Sequence, residues 1–362
     1  MPTTKSKHKA PRKKKGASHP TRHHRRVFII GAGVSASCGI AVAKDILRES
    51  IVRLHQRDSA KSATVHKLLK YLYAGFQQNL LNYPNIEDFL NLTEMARRFN
   101  SEDFIKSSLW SDSKIEGVQQ TTLKAVTDYI WDLMQQKHAL QVIKDFVRDH
   151  VRPGDTLITF NWDLTLERAI WDDQQHLSFW YSYPDTSDDE DSVVLLKPHG
   201  SIDWFNKKDL PKAKRVKGKV QSLDESVCVF TRFDFSDLPE MANYTPVIVP
   251  PLATKEFSQT VLKRTWRGVY KAVSQATSLN ILGYSLPRED QFARLVLGRA
   301  LRSNRLRVEN KSKSPLDVTV VNPDETAEIT FRRLVGPSVR RFTFYQATFQ
   351  NFVGGVQDQP KE

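Results

Sequence analysis

Two cysteines in 362 residues, Cys38 and Cys228, are too few for a disulfide framework and too few for a four-cysteine zinc site. Cys38, beside a glycine-rich turn, reads as a small apolar filler, and neither cysteine has a catalytic signature. Long apolar runs are missing as well, since none reaches the roughly 18 residues a membrane span requires. The polar, basic start lacks the apolar segment of a secretory signal. A cytoplasmic protein with no membrane partner is therefore expected.

Acid is absent from one region only. Residues 1–26 hold ten Lys or Arg and no Asp or Glu, whereas the remainder has 44 basic against 41 acidic residues. The net charge of +13 thus belongs mostly to a short tail, and the body is nearly neutral. The tail (KSKHKAPRKKKGASHPTRHHRR) reads as disordered. Its chemistry suits salt-sensitive, non-specific contact with nucleic acid, an import signal or simple solvation of the terminus. Elsewhere, 40% apolar and 26% charged residues describe a soluble globular protein able to bury one large core or two modest ones.

What is present begins at RRVFIIGAGVSASCGI. An apolar strand at residues 27–30 runs into Gly31, Gly33 and Ala36, the G-x-G-x-x-A spacing that brings a pyrophosphate against a helix N-terminus. Two further polar residues follow apolar runs: Asn161 in TLITFNWDLTLE and His199 in VVLLKPHGSIDWF. The pattern points to a dinucleotide site, but not to a dehydrogenase half. The acidic residue expected about 20 positions past the glycines at the end of a second strand is missing. KDILRESIVRLHQRDSAK reads helical instead, with Glu49 a helix-surface charge.

From about residue 41 to 150 apolar residues recur every three or four positions, as in TVHKLLKYLYAGFQQNLL, IEDFLNLTEMARRF and TTLKAVTDYIWDLMQQKHALQVIKDFVRDHV. This block reads as a helical insertion that could cap the cleft, with Tyr71, Tyr73, Phe89 and Trp131 in its core. Beyond Pro153-Gly154 strands are expected at DTLITF, SVVLLKP, TPVIVPP, SLNILGY and LDVTVVNP. Helices are expected at FSQTVLKRTWRGVYKAVSQA and REDQFARLVLGRALRS. The alternation predicts an α/β fold, a Rossmann-like doubly wound and mostly parallel sheet with the large insertion after its first strand. Ligands of such sheets bind outside the carboxyl ends of strands, where Gly31, Asn161, His199, Gly283 and Asn322 would all fall. Two charge runs, residues 185–192 (acidic) and 207–219 (basic), read as surface loops, and RRFTFYQATFQNF is aromatic enough to pack. The expected organisation is a tail, 1–26, and a single domain, 27–362, that includes the insertion at 41–150.

Taken in order, GAGVSASCGI, TFNWD, KPHGSIDW, ILGYSLPRED and VVNPD resemble the sirtuin superfamily, and most closely its bacterial sirtuin-like NAD-hydrolase branch. Such domains serve as anti-phage defence effectors that deplete NAD in the infected cell. The resemblance spans residues 27 to 350. It implies that Gly31, Ala32, Gly33 and Ser35 contact the pyrophosphate, and that Asn161 orients a water and the nicotinamide ribose. It further implies that Asp163 holds the carboxamide, that His199 and Gly200 form the histidine–glycine pair, and that Gly283, Tyr284 and Ser285 lie near ribose and phosphates. Asn322 would stand near the adenosine ribose. The chain departs from deacylating sirtuins in two ways. Ala41, Val42, Ala43 and Lys44 replace a proline-aspartate-phenylalanine-arginine run, and the two cysteines cannot build the zinc module, so no metal is expected. Water is then the expected acceptor.

The chemistry fits these residue types. Nicotinamide leaves as a neutral group, so the protein has to orient the substrate, stabilise positive charge on the ribose and place a nucleophile. Asn161 both donates and accepts hydrogen bonds, and His199 belongs to the residue type that exchanges protons near neutrality. Asp163 also suits a helix N-cap before LTLERAI, and Asp203 and Trp204 suit a brace for the histidine loop. Two other functions are carried forward: a module that binds NAD or an ADP-ribose derivative without turnover, and an NAD-dependent protein deacylase. The resemblance also implies latency, with control by homo-oligomerisation or by a companion such as a ring-shaped translocase ATPase.

Overall fold

The structure, a computed structural model, describes residues 25–40, 42–80, 82–101, 109–135, 140–172, 177–181, 192–209, 220–230, 246–249, 260–310, 315–336 and 339–355. The basic tail up to residue 24, the acidic run up to residue 191 and the basic run from residue 210 lie outside the described residues. The strands in chain order are β1 (Arg26–Ile30), β2 (Thr156–Thr159), β3 (Ser178–Trp180), β4 (Ser192–Leu196), β5 (Gly200–Asn206), β6 (Val220–Ser222), β7 (Val227–Phe230), β8 (Pro246–Ile248), β9 (Ser278–Leu282), β10 (Leu316–Val321) and β11 (Val339–Tyr345). Seven of them form a parallel sheet in the order β11-β10-β9-β1-β2-β4-β3, with β1 at its centre. The chain leaves β1 towards β2 and later returns to pair β9 on β1's other side. That reversal creates a crevice between the carboxyl ends of β1 and β9, the usual ligand position in an open α/β sheet.

The helices are α1 (Ala32–Ala36), α2 (Ala43–Arg57), α3 (Ser59–Leu72), α4 (Ile86–Ser101), α5 (Asp112–Met134), α6 (Gln141–His150), α7 (Thr165–Asp172), α8 (Thr260–Gln275), α9 (Gln291–Glu309), α10 (Glu325–Val335) and α11 (Phe349–Val353). Alternation along β1 covers both sheet faces, because successive strand side chains point to opposite sides. Val27 and Ile29 join a core that includes Val269 and Val273 of α8, Leu297 of α9 and Phe331 of α10. Phe28 and Ile30 join Ile143 and Phe146 of α6 and Leu166 and Ile170 of α7. Each such fully buried aliphatic side chain is worth roughly 1.5–3 kcal/mol, and helices on both faces make the sheet doubly wound. None of the helices among the described residues is long and apolar enough to cross a membrane.

Helices α2 to α5 build a core of their own around Leu47, Ile51, Val65, Leu68, Phe89, Leu90, Val126 and Ile130. Asp58 ends α2 and starts α3, its Oδ1 accepting from the Lys61 N–H at 3.0 Å. The insertion expected at 41–150 is helical, but it divides between two roles. Helix α6 packs on the sheet with Phe28, which its strongly one-sided apolar pattern allows, whereas α2 to α5 form the separate core and α2, α4 and α5 of them border the crevice. Phe89 and Trp131 are buried as expected, whereas Tyr71 is 42% exposed because it lies on the outer face of α3, tilted against Trp110.

A second correction concerns TPVIVPP, expected in the main sheet. It is β8, at the edge of a separate antiparallel sheet ordered β6-β7-β5-β8. Proline cannot donate to a ladder and is confined to strand starts and edges. With Pro246, Pro250 and Pro251 around a three-residue apolar run, this segment suits an edge better than a central parallel strand. The small sheet follows the histidine motif directly, since β5 begins at Gly200.

Candidate active site

The glycine turn is built to let two strand ends touch. Gly31 N–H donates to Leu282 O at 3.0 Å and Gly33 N–H to Gly283 O at 2.9 Å, joining the ends of β1 and β9. A Cβ on Gly31 would stand 2.5 Å from Tyr284 Cα and 2.6 Å from Gly283 O, both backbone atoms. Gly31→Ala is therefore expected to lower stability by about 1–3 kcal/mol through overpacking. Denaturant titration would check this, and a variant with wild-type stability would contradict the close-approach account. The helix after the turn, α1, has five residues, so its macrodipole is small.

Asn161 lies one position past Phe160, beyond the end of β2. Its Nδ2 donates to Gly31 O at 2.9 Å and to Ser35 Oγ at 2.7 Å. Ser35 Oγ in turn donates to Asp163 Oδ2 at 2.5 Å. The other carboxylate oxygen, Oδ1, accepts from Thr165 N at 2.9 Å and Thr165 Oγ1 at 2.6 Å, which caps α7. One chain of hydrogen bonds thus runs from the glycine turn through Asn161 and Ser35 to the start of α7. With its amide nitrogen committed, Asn161 can offer a ligand its Oδ1 as acceptor.

His199 is 4% exposed and sits in the turn between β4 and β5. Gly200, at φ +77°, closes that turn in a conformation that a side chain would strain, and its α-carbon lies against the Val247 carbonyl of β8. Val249 N–H donates to His199 O at 2.9 Å, clamping the backbone to the small sheet. The imidazole Nε2 lies 3.2 Å from Asp290 Oδ2, an arrangement that selects the Nε2–H tautomer and holds the ring. Phe160 packs edge-on to the ring at 5.1 Å, and Phe160 itself stacks on Tyr284 at 4.4 Å between centroids.

Asp290 was not singled out from the sequence. It is 1% exposed, caps α9 through Oδ1 to Ala293 N at 3.1 Å, and receives the Tyr284 hydroxyl on Oδ2 at 3.2 Å. The only signal available was an aspartate before QFARLV, which reads as a structural cap. The loop before it, GYSLPRED, contains Leu286 at φ +53°, the one non-glycine residue with positive φ among the described residues. Arg294 fastens this loop by donating to the Leu286 and Pro287 carbonyls.

These groups line one cleft of about 360 Å³. Of the residues expected from the sequence, Asn161, His199, Ala32, Gly33, Ser35, Asp163, Gly283, Tyr284, Ser285 and Asn322 all border it, and Gly31 sits behind, under Tyr284. Asn322 is turned inward: its Nδ2 donates to Tyr284 O at 3.3 Å and its Oδ1 accepts from Asp324 N at 2.9 Å. The insertion supplies Val42, Lys44, Ile46, Asn85, Ile86, Glu87 and Ile130 to the opposite wall. Among the described residues of the lining, Glu87, Asp163 and Asp290 are acidic and Lys44 alone is a lysine or arginine. Cys38 lies in the core behind the turn. Burial first, and Asp163 second, push its thiol up to about 12, so it stays protonated. Among the described residues no group of three or more His, Cys, Asp or Glu side chains could hold a metal ion. A cavity of similar size, about 390 Å³, lies beside β3 and α7, but among the described residues Arg264 is its only charged lining residue and no acid–base pair lines it.

A doubly wound sheet with a polar cleft at its switch point defines the class: an α/β protein with a crevice outside the carboxyl ends of its strands. Within it, residues 155–331 match the family model of the SIR2-like domain. The matched segment contains Asn161, Asp163, His199, Gly283 and Asn322. No curated protein matches the chain. Among solved structures it is similar to a crystal structure of SIR2 in complex with the inhibitor EX-527, 2'-O-acetyl-ADP-ribose and a deacetylated p53 peptide, at 13% identity over 92% of each chain with a TM-score of 0.35.

Proposed function

We propose that this protein hydrolyses NAD at the nicotinamide glycosidic bond, giving nicotinamide and ADP-ribose. The observation that carries the reading is the convergence of the Asn161–Ser35–Asp163 chain and the His199–Asp290 pair on one cleft. The bond from the ribose anomeric carbon to the pyridinium nitrogen breaks with its electrons going to nitrogen. Water forms the new bond to carbon and gives up one proton. Asn161 Oδ1 would orient the ribose or the water, and His199 would take the proton from the water or from a ribose hydroxyl. Asp163 would meet the carboxamide end, and the turn from Gly31 to Ser35 together with Gly283, Tyr284 and Ser285 would face the phosphates. Lys44, the lysine of the lining, would be the cation for the pyrophosphate.

The acidic lining supports this substrate over a neutral one. Both the pyridinium of NAD and the oxocarbenium-like transition state carry positive charge, and fixed carboxylates in a partly dry cleft favour them. Glu87, from the first turn of α4, is the acid brought by the insertion. Glu87→Gln is expected to lower kcat for nicotinamide release about tenfold or more with a smaller change in KM; unchanged kcat in initial-rate assays would remove Glu87 from the scheme.

The reading as a whole is tested by incubating purified protein with NAD and separating the products by chromatography. Nicotinamide and ADP-ribose in equal amounts support it, while intact bound NAD would make the protein a sensor. Nicotinamide release that depends on an acyl-lysine peptide would make it a deacylase. We further infer a cytoplasmic, regulated anti-phage effector, because an unrestrained NAD hydrolase would deplete its own cell. The control would come from self-association or a companion protein. Turnover per molecule that rises with protein concentration, or on adding nucleic acid for the residue 1–26 tail, is the expected sign.

A further inference from the structure

Beneath the cleft lies a group of ionisable side chains that the hydrolysis scheme does not use. Lys197, the lysine of KPHGSIDW, has no exposed surface, and neither does Glu167. Its Nζ donates to Glu167 Oε1 at 2.7 Å and to the backbone carbonyl of Asp163. Asp203, 1% exposed, completes the group from β5. The Tyr181 hydroxyl reaches both carboxylates, at 3.3 Å to Glu167 Oε1 and 3.4 Å to Asp203 Oδ2. Glu167 Oε2 and Asp203 Oδ1 are buried with no hydrogen-bond partner among the described residues.

Stability alone does not account for this arrangement. One ammonium faces two carboxyl groups out of contact with water, a combination that well-packed apolar side chains of equal volume commonly match or exceed in stability. What an apolar residue would not do is hold the Asp163 carbonyl. That carbonyl belongs to the residue whose carboxylate caps α7 and receives Ser35, and Ser35 receives Asn161. Lys197 therefore grips from below the same loop that presents Asn161 and Asp163 to the cleft from above, and it bridges that loop to Glu167 one helical turn further on.

We propose that Lys197 is a positioning residue: by tying the Asp163 carbonyl to Glu167, it sets where Asn161 and the Asp163 carboxylate stand in the cleft. The effect on turnover rests on the NAD-hydrolysis reading, while the effect on the loop does not.

The test is the Lys197→Met, Glu167→Gln double variant of the full chain, compared with wild type and with Lys197→Met alone. Methionine keeps the length of the side chain without its charge. Glutamine removes one buried carboxylate, so Asp203 remains as a carboxyl that can stay neutral. Two measurements are made at pH 7.5: hydrogen–deuterium exchange of peptides covering residues 160–168, and steady-state release of nicotinamide from NAD. The double variant is expected to fold, with cooperative thermal unfolding recovered relative to Lys197→Met. Its 160–168 segment is expected to exchange at least about tenfold faster while the β1 and β9 peptides keep wild-type protection, and kcat is expected to fall about 10- to 100-fold with KM changed less than about threefold.

Wild-type exchange in that segment would overturn the proposal, whatever happens to turnover. Faster exchange with undiminished kcat would overturn it too, because the loop would then move without consequence. If the wild-type protein releases no nicotinamide, the hydrolysis reading fails separately, and exchange alone decides whether Lys197 holds the loop. A double variant that fails to fold would show the group to be structural and would likewise overturn the positioning role.

Discussion

Replacement of His199 by alanine is expected to reduce nicotinamide release from NAD by about 10²- to 10⁴-fold, the range that a positioned acid–base group contributes. The imidazole is 4% exposed and paired with Asp290, so alanine also leaves a cavity and removes one of the partners of a buried carboxylate. His199→Gln separates these effects, because a glutamine amide can still donate to Asp290 but does not exchange protons. Both variants should lose turnover, and the glutamine variant should keep a thermal midpoint close to wild type. Asn161→Ala should cost a comparable factor. The double variant His199→Ala, Asn161→Ala should be little worse than either alone, since groups acting on one transition state as a unit are strongly non-additive. Wild-type kcat in both His199→Gln and Asn161→Ala would sink the assignment of roles.

Stability is expected to fall between about pH 4.5 and 7, and Glu167→Gln should remove much of that fall. Burial is the main cause that raises the Glu167 carboxyl, from 4.5 to about 7, with Lys197 opposing it; burial raises Asp203 in the same direction. A carboxyl raised in the folded state binds its proton more tightly there than in the unfolded chain. Its contribution to stability is therefore complete below the unfolded value and is lost as pH rises through the folded one. The loss is on the order of 3 kcal/mol if Glu167 alone carried it, and Asp203, raised in the same direction, adds to the same trend. Urea unfolding at pH 5 and pH 8 gives the measurement. A pH dependence in Glu167→Gln equal to wild type would show that the buried group stays ionised throughout.

Much of the fold was legible because its signals are local. The strands Arg26–Ile30, Thr156–Thr159, Ser192–Leu196, Ser278–Leu282 and Leu316–Val321 are built on short apolar runs between turn residues, and the helices carry clear three- and four-residue spacing. What was missed lacked such signals. Ser178–Trp180 is a three-residue edge strand, half exposed, and Val339–Tyr345 sets two adjacent arginines before a Phe-Thr-Phe-Tyr run at the other edge. Neither has the apolar density of a central strand. TPVIVPP had that density but not the backbone donors, and it went to the edge of the small sheet.

At the cleft the same division holds. Asn161, His199 and the glycine turn stood out because polar or glycine residues directly after apolar runs mark strand ends. Asp290 was passed over, since a helix-capping aspartate looks the same whether or not a histidine packs against it. Glu87 was passed over because nothing local says which turn of a helical insertion faces inward. Lys197 and Asp203 lay in a recognised motif, yet a lysine in sequence reads as exposed, and only burial against Glu167 gives it a different meaning.

By itself, then, the sequence determined the parallel sheet, the insertion after its first strand and the strand-end residues that face a common edge. These follow from hydrophobic period and turn chemistry, which act over a few residues. Only the tertiary structure decided that Asp290 meets His199, that the insertion closes the cleft with Glu87, and that Lys197 is buried beneath the Asn161 loop. Those pairings join residues from 30 to more than 100 positions apart, where packing selects the partner and no local pattern records the choice.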